Sequence, residues 1–435
     1  MEYLDREITT KLKKWIDRRE IYAIKGPRQC GKTTLLYILK DYLVHEKGVD
    51  EDRIIFLNCE DYEVLEKFNK NSKEFISSYI TGRDINYFFL DEFQYVEDGG
   101  RKLKILYDTY ENAKFIITGS SSLELTGKTS KFLVGRVFEF NLYPFSFKEF
   151  LNAKDKRLAR IHNERNEKFK NLIFNSINPG IDEEIFTGDF KNLFAEYVTY
   201  GGYPEVIKTD DKETKKEILK NIYNTYVTRD VIELLKIRDV FKFRKIVSVL
   251  SSQLGGIANY NELSSVCESY YKELMEILDV LEETFIIKRV TPFYRNLKTE
   301  LKKNPKVYFV DSGLRNYTIN NFAPVDERTD KGEIIENFVL NQLNQLLSLS
   351  PEYEFRINYW RTLGKAEVDF ILNFQKKIIP VEVKYKKFQK PEVTRSFRSF
   401  LSSYQPDNAV LLTKNYSGKM NVNGINISFI PVWYV

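Results

Sequence analysis

Histidine is almost missing from this chain, with only His45 and His162 among 435 residues. Both lie in charged, helix-like or linker surroundings and read as surface residues. Zinc–histidine chemistry and Ser-His triads therefore have no material to work with. Cysteine is nearly as scarce. Cys30, Cys59 and Cys267 form no C-x-x-C pair or other metal-ligand spacing, so neither a disulfide framework nor a structural zinc site is expected. No apolar run approaches the roughly 18 residues that cross a bilayer. The N-terminus, "MEYLDREITTKLKKW", carries early acids and lacks the apolar stretch of a secretory signal. A cytoplasmic protein without a membrane partner is the expectation. A large excess of one charge is also absent. The chain is 30% charged yet carries a net charge of only +5, so any nucleic-acid binding must come from local patches. What is present is ordinary globular material, 43% hydrophobic, in a chain long enough for two to four domains.

The first chemistry-bearing stretch is "IYAIKGPRQCGKTTLLYIL". An apolar strand leads into Gly26, Pro27, Arg28, Gln29, Cys30, Gly31, Lys32 and Thr33, followed by Thr34 and an apolar helix pattern. This is G-x4-G-K-T in its required strand–loop–helix setting. Glycines let backbone N–H groups curl around phosphates, at a helix N-terminus that favours anions. Lys32 is expected to reach the β- and γ-phosphates, and Thr33 to hold Mg²⁺.

About sixty residues later, "NYFFLDEFQ" reads as a short buried strand ending in Asp91-Glu92. Asp91 is expected to help hold Mg²⁺ and Glu92 to polarise the attacking water. "KFIITGSSS" supplies another strand. Its carboxyl end would lie near the γ-phosphate, which makes Ser120 or Ser121 the candidate sensor. "RIIFLNCED" and "RVFEFNLYPFS" add two more strands, and the alternation with helical patterns predicts a parallel sheet. Arg136, just before the last of these strands, reads either as an arginine finger, acting on this subunit or on a neighbour in a homo-oligomer, or as a solvated side chain.

Taken together, "GPRQCGKTT", "FFLDEFQ", "ITGSSS", "GRVFEFNLYPFSFKEF", "YGGYPEV", "KVYFVDSGL", "KGEIIENFV" and "AEVDFIL…VEVK" resemble a prokaryotic family of AAA-type P-loop ATPases found in archaea and bacteria. Its members pair an N-terminal P-loop domain with a C-terminal domain of originally unknown function. The resemblance implies ATP and Mg²⁺ as ligands of the front domain. It also places 151–240 in a helical lid and linker.

Charge dominates "DKRLARIHNERNEKFK", which reads as a solvated helix or insertion without chemistry. Arg229 and Asp230 are assigned an exposed or ion-paired helical role. Residues 241–320 read as a winged helix: three helical patterns, then strands in "IIKRVTPF" and "PKVYFVD". The third helix, with Glu268, Glu273, Glu276, Asp279, Glu282 and Glu283 against Lys272, would repel phosphates. Basic residues lie beyond it, at Lys288, Arg289, Arg295, Lys298, Lys302, Lys303 and Lys306. Either the wing touches DNA or the module is a spacer or protein-docking surface.

In "AEVDFILNFQKKIIPVEVKY" the alternation of period two puts Glu367 and Asp369 on one face of a strand, and Glu382 and Lys384 on one face of the next. Preceded by the amphipathic helix pattern of "KGEIIENFVLNQLNQLL", this resembles the PD-(D/E)xK nuclease core. The resemblance implies that Asp369, Glu382 and Glu336 hold a metal ion, with Lys384 beside them. Carboxylates suit Mg²⁺, and a neighbouring lysine suits developing phosphate charge. An inert nuclease-like fold, or a plain Glu382–Lys384 ion pair, accounts for the same residues. Nearby Lys376, Lys377, Lys386 and Lys387 would hold a phosphate backbone with or without cleavage. The expected α/β architecture is thus a parallel-sheet P-loop domain (1–150), a helical lid and linker (151–240), a winged helix (241–320) and a nuclease-like α/β domain (325–435).

Overall fold

The computed structural model describes residues 3–119, 133–177, 186–227, 239–294, 303–350, 356–374 and 377–435. The chain forms two compact units. One comprises Met1–Pro144, Asn224–Arg238 and Leu278–Ile286, and the other comprises Phe145–Tyr223, Asp239–Ile277 and Ile287–Val435. These units cut across the four expected segments: 151–240 is divided between them, and so is 241–320.

In the first unit, strands β1 (Ile21–Lys25), β2 (Ile54–Asn58), β3 (Asn86–Asp91), β4 (Ala113–Gly119) and β5 (Val137–Asn141) form one sheet in the order β2-β3-β4-β1-β5. Every neighbouring pair is parallel. β1, β3 and β4 are buried along their whole length, which is why they read as nearly unbroken apolar runs. Helices α1 (Ile8–Lys14), α2 (Lys32–His45), α3 (Tyr62–Ser77) and α4 (Gly99–Thr109) accompany the sheet. On one face, Ile21, Ala23, Phe88, Leu90, Phe115 and Ile117 share a core with Phe68 of α3 and Leu103 and Leu106 of α4. Because all five strands run the same way, their carboxyl ends share one edge, and α2 starts there.

The second unit begins with α5 (Phe147–Lys154), opened by a Ser146–Glu149 capping box. α6 (Lys156–Asn175) follows. It is not the solvated insertion its charges suggest, because Leu158, His162, Phe169 and Leu172 form a buried stripe. His162 is buried rather than on the surface, and its Nε2 lies 2.7 Å from the Trp433 carbonyl oxygen. The eight charged residues among the twenty of this helix mask the period in the sequence. Next come α7 (Thr187–Tyr200), α8 (Pro204–Lys208) and α9 (Lys212–Thr225), then α10 (Val240–Ser252), α11 (Tyr260–Val266) and α12 (Tyr271–Glu283), of which the last two residues of α9 and α12 from Leu278 onward count with the first unit. The antiparallel pair β6 (Ile287–Val290) and β7 (Lys306–Phe309) succeeds them, with Ile257 bridged to Lys306.

After α13 (Ser312–Thr318), α14 (Lys331–Leu349) packs on β7 and on a six-stranded mixed sheet. That sheet comprises β8 (Arg356–Arg361), β9 (Glu367–Phe374), β10 (Lys377–Lys384), β11 (Asn408–Thr413), β12 (Gly418–Val422) and β13 (Ile425–Pro431), in the order β12-β13-β11-β10-β9-β8. β9 and β10 are antiparallel neighbours, whereas β10, β11 and β13 run parallel. α15 (Arg395–Tyr404) buries Phe397, Phe400 and Leu401 against Val368, Ile371, Leu411 and Phe429.

Candidate functional site

The phosphate-loop residues lie where β1 ends. Gly26 has to be glycine: a Cβ there would meet the Leu142 carbonyl oxygen at 2.2 Å. Gln29 (φ 60°) and Gly31 (φ 96°) take left-handed conformations, which curl the loop back toward the helix. The first intrahelical bond of α2 runs from the Leu35 N–H to the Gly31 carbonyl, so the N–H groups of Lys32, Thr33 and Thr34 are left for a ligand. Lys32 is buried, and its ammonium donates to the carbonyls of Gly26 (3.1 Å) and Pro27 (3.0 Å). It thus lies folded over the loop that would hold the phosphates. Arg28 donates to the Tyr95 hydroxyl at 3.1 Å.

Asp91, at the end of β3, joins three elements. The Thr33 hydroxyl of α2 donates to its Oδ2 at 2.6 Å, and the Thr118 hydroxyl of β4 donates to Oδ1. The Glu92 N–H reaches both Asp91 Oδ1 (3.2 Å) and Thr118 Oγ (3.0 Å). Glu92 itself has φ 51°, a conformation non-glycine residues rarely adopt, and the Gln94 amide donates to its carboxylate. Thr118 is thus the polar residue at the end of β4 that reaches Asp91, whereas the sequence points to Ser120 or Ser121 as the sensor. Those two, like Arg229, Asp230, Arg295, Lys298, Lys302 and Lys376, lie outside the described residues.

Arg136 is not at this site. It precedes β5 at the amino edge of the sheet, where its carbonyl accepts from the Ile21 N–H, while the phosphate loop follows Lys25 at the carboxyl edge. Its guanidinium pairs with Asp108 at 3.0 Å. In this arrangement Arg136 is not brought to its own chain's phosphate loop.

In the second unit the register that pairs Val381 with Phe370 brings Glu382 beside Asp369 on adjacent strands. Both are buried, so the alternation does not mark an exposed face. Asp369 accepts from the Val383 N–H at 2.7 Å, and Glu382 accepts from the Thr394 hydroxyl at 2.9 Å. Lys384 reaches Glu382 at 3.0 Å and Asp369 at 3.9 Å. Lys306, expected on an exposed wing, is instead buried here, at 2.6 Å from Glu367 and 3.8 Å from Glu336. The Tyr308 hydroxyl donates to Glu336 at 3.3 Å. Arg361 also pairs with Glu367. Burial first, then the Asp369 charge, pushes the Glu336 carboxyl up to about 8. Burial likewise raises Glu382, against the opposing pull of Lys384.

Residues 18–151 match the family model of the AAA domain. Residues 191–325 and 331–434 each match a domain of unknown function. Several uncharacterized prokaryotic proteins are similar over nearly the whole chain. One from Haemophilus influenzae is 27% identical over 422 residues, covering 95% of this chain and 94% of that protein. One from Methanocaldococcus jannaschii is 25% identical over 446 residues, covering 99% and 90%. Among solved structures, Cdc6p from Pyrobaculum aerophilum aligns with a TM-score of 0.30 at 13% identity, covering 78% of this chain and 96% of that one. A DNA polymerase III gamma subunit-related protein from Thermotoga maritima aligns with a TM-score of 0.25 at 10% identity, covering 63% and 99%.

Within the stretch that matches the AAA domain, the Thr33 hydroxyl and Asp91 carboxylate are hard oxygen donors already in contact, a set that suits Mg²⁺. The second centre differs. Among the described residues no group of three or more His, Cys, Asp or Glu side chains is arranged to hold a metal ion. Asp369 and Glu382 are instead engaged by an N–H, a hydroxyl and Lys384.

Proposed function

We propose that this chain is an ATP-binding, Mg²⁺-dependent ATPase whose nucleotide state is coupled to a DNA-directed C-terminal half. The observation that carries the ATPase reading is the Thr33–Asp91 contact, made at the carboxyl edge of a parallel sheet beside Lys32 and Glu92. Lys32 would leave the Gly26 and Pro27 carbonyls for the β- and γ-phosphates. Thr33 and Asp91 would hold Mg²⁺, which neutralises developing phosphate charge when bound. Glu92 would leave Gln94 to polarise a water. The expected outcome is that Lys32→Ala abolishes ATP turnover, while Glu92→Gln binds ATP and does not hydrolyse it. Turnover at the wild-type rate in either variant overturns the assignment.

The DNA-directed part rests on less. The order of three helices and an antiparallel pair supports a winged helix, and Lys288, Lys303, Lys377 and Lys387 offer exposed positive charge. A nuclease reading draws on the meeting of Asp369, Glu382, Lys384 and Glu336, but no cleavage step follows from carboxylates already engaged. That engagement favours a second reading, in which the C-terminal half is an inert docking module of an ATP-dependent switch. A nuclease assay with Mg²⁺ or Mn²⁺ separates the two, and Asp369→Ala should remove any cleavage without touching ATP turnover.

A further inference from the structure

Arg6 belongs to none of the motifs above, and its guanidinium reaches the back of the phosphate loop. Nη1 donates to the Cys30 carbonyl at 2.9 Å, and Nη2 donates to the Tyr143 carbonyl at 2.6 Å. Arg6 is buried, in the segment leading into α1. The same stretch after β5 holds the loop at two more points. The Leu142 N–H donates to the Lys25 carbonyl at 2.7 Å, and the Cys30 thiol lies 3.5 Å from the Leu142 carbonyl oxygen.

These contacts bear on how a phosphate is held. A phosphate loop works by pointing consecutive N–H groups inward, an arrangement that costs free energy until an anion arrives. In a trans peptide the C=O and N–H of one plane point in opposite directions. Fixing the Cys30 carbonyl against Arg6, behind the loop, therefore aims the N–H of the same plane, that of Gly31, away from Arg6. Gly31 is also the residue whose φ of 96° turns the loop into α2. A guanidinium is suited to the task because its rigid fork donates to two acceptors at once. Its buried positive charge also favours an anion on the other side of the loop.

We infer that Arg6 is a positioning residue for nucleotide binding: it clamps the Cys30 peptide of the phosphate loop to the segment following β5 and holds the loop in its anion-accepting form. This rests on the ATP-binding reading above. It makes a prediction that a contact with the base would not. The clamp acts on the loop, so its loss should weaken ATP and inorganic tripolyphosphate alike.

The test uses the full chain, with calorimetric titration of ATP and of tripolyphosphate into wild type, Arg6→Ala and Arg6→Lys. Steady-state turnover and thermal melting of the same proteins accompany it. Arg6→Ala should weaken both ligands by about tenfold or more, the range for a lost hydrogen bond to a charged group. KM should rise in step and kcat at saturating ATP stay near wild type. Arg6→Lys, which keeps the charge but not the fork, should fall between. Wild-type affinity for both ligands in Arg6→Ala overturns the clamp, as does a loss confined to ATP, which would mean a base contact. A fall in kcat with KM unchanged also overturns it. If Arg6→Ala does not fold, Arg6→Lys carries the test, and wild-type affinity in that variant overturns the clamp. Failure of wild type to bind either ligand is a different result, since it removes the nucleotide reading itself.

Discussion

Glu336 is where single-residue electrostatics has the largest consequence. Four carboxylates, Glu336, Glu367, Asp369 and Glu382, share their surroundings with Lys306, Lys384 and Arg361. Burial disfavours the excess negative charge, and Glu336 relieves it by keeping a proton up to about pH 8. The unfolded chain releases that proton near the ordinary value of 4.5. Glu336 therefore contributes its full stability below about pH 4.5, loses it progressively as pH rises toward 8, and changes nothing further above that. Glu336→Gln should flatten the decline, with a difference on the order of 5 kcal/mol across the window. Urea denaturation at a series of pH values checks this, and parallel profiles for variant and wild type would refute it. At the opposite extreme stands Arg136, half-exposed and paired with Asp108. Arg136→Ala should cost no more than about 1 kcal/mol of stability and leave ATP turnover at the wild-type rate. A large loss of turnover would restore it to a site, which would then have to be a neighbour's.

Among the elements, the junction of α7 and α13 shows how two motifs far apart in the chain become one structure. α7 ends at Gly201, whose φ of 79° needs glycine and whose Cβ, if present, would lie 2.2 Å from Asp311 Oδ1. Asp311 is buried and caps α13 through the Leu314 N–H at 2.8 Å. Its other oxygen accepts from the Gly202 N–H at 2.7 Å. "YGGYPEV" and "VDSGL" are thus two sides of one contact. Asp311→Ala would leave both N–H groups buried without this acceptor, and should destabilise the chain by about 2–4 kcal/mol in chemical denaturation. A loss under 1 kcal/mol would mean that water or a neighbouring acceptor substitutes for the carboxylate. Burial raises the Asp311 carboxyl to about 6, so its contribution too declines as pH rises, here from about 3.8 to 6.

For the whole molecule, the question is whether a nearly balanced charge still binds a polyanion. α12 argues against a conventional recognition helix, since Glu276 and Asp279 are exposed. Lys242 and Lys245 of α10 are spent on Glu273 and Glu268. If the exposed lysines of β6 and of the C-terminal sheet neutralise three phosphates, duplex affinity should fall about 40-fold between 50 and 200 mM salt. Fluorescence anisotropy with labelled duplex measures that slope. Little binding at any salt would favour the docking module over the DNA-directed one.

The sequence alone determined whatever depends on neighbours along the chain. The phosphate loop was legible because its glycines, Lys32 and Thr33 are consecutive and act through their own backbone. The buried strands of the first sheet were legible because parallel strands covered on both faces must be apolar throughout. Alternation correctly paired Glu382 with Lys384, but it reports only which side chains share a face, never what covers that face. Only the tertiary structure decided that both faces of β10 are buried, that Lys306 neutralises acids up to some sixty residues away, and that His162 lies under the C-terminal residues. It also decided that Arg136 and Lys25 stand at opposite edges of one sheet. Each of these depends on contacts between segments distant in the chain. Such contacts are set by how strands order and helices pack, and local periodicity carries no record of them.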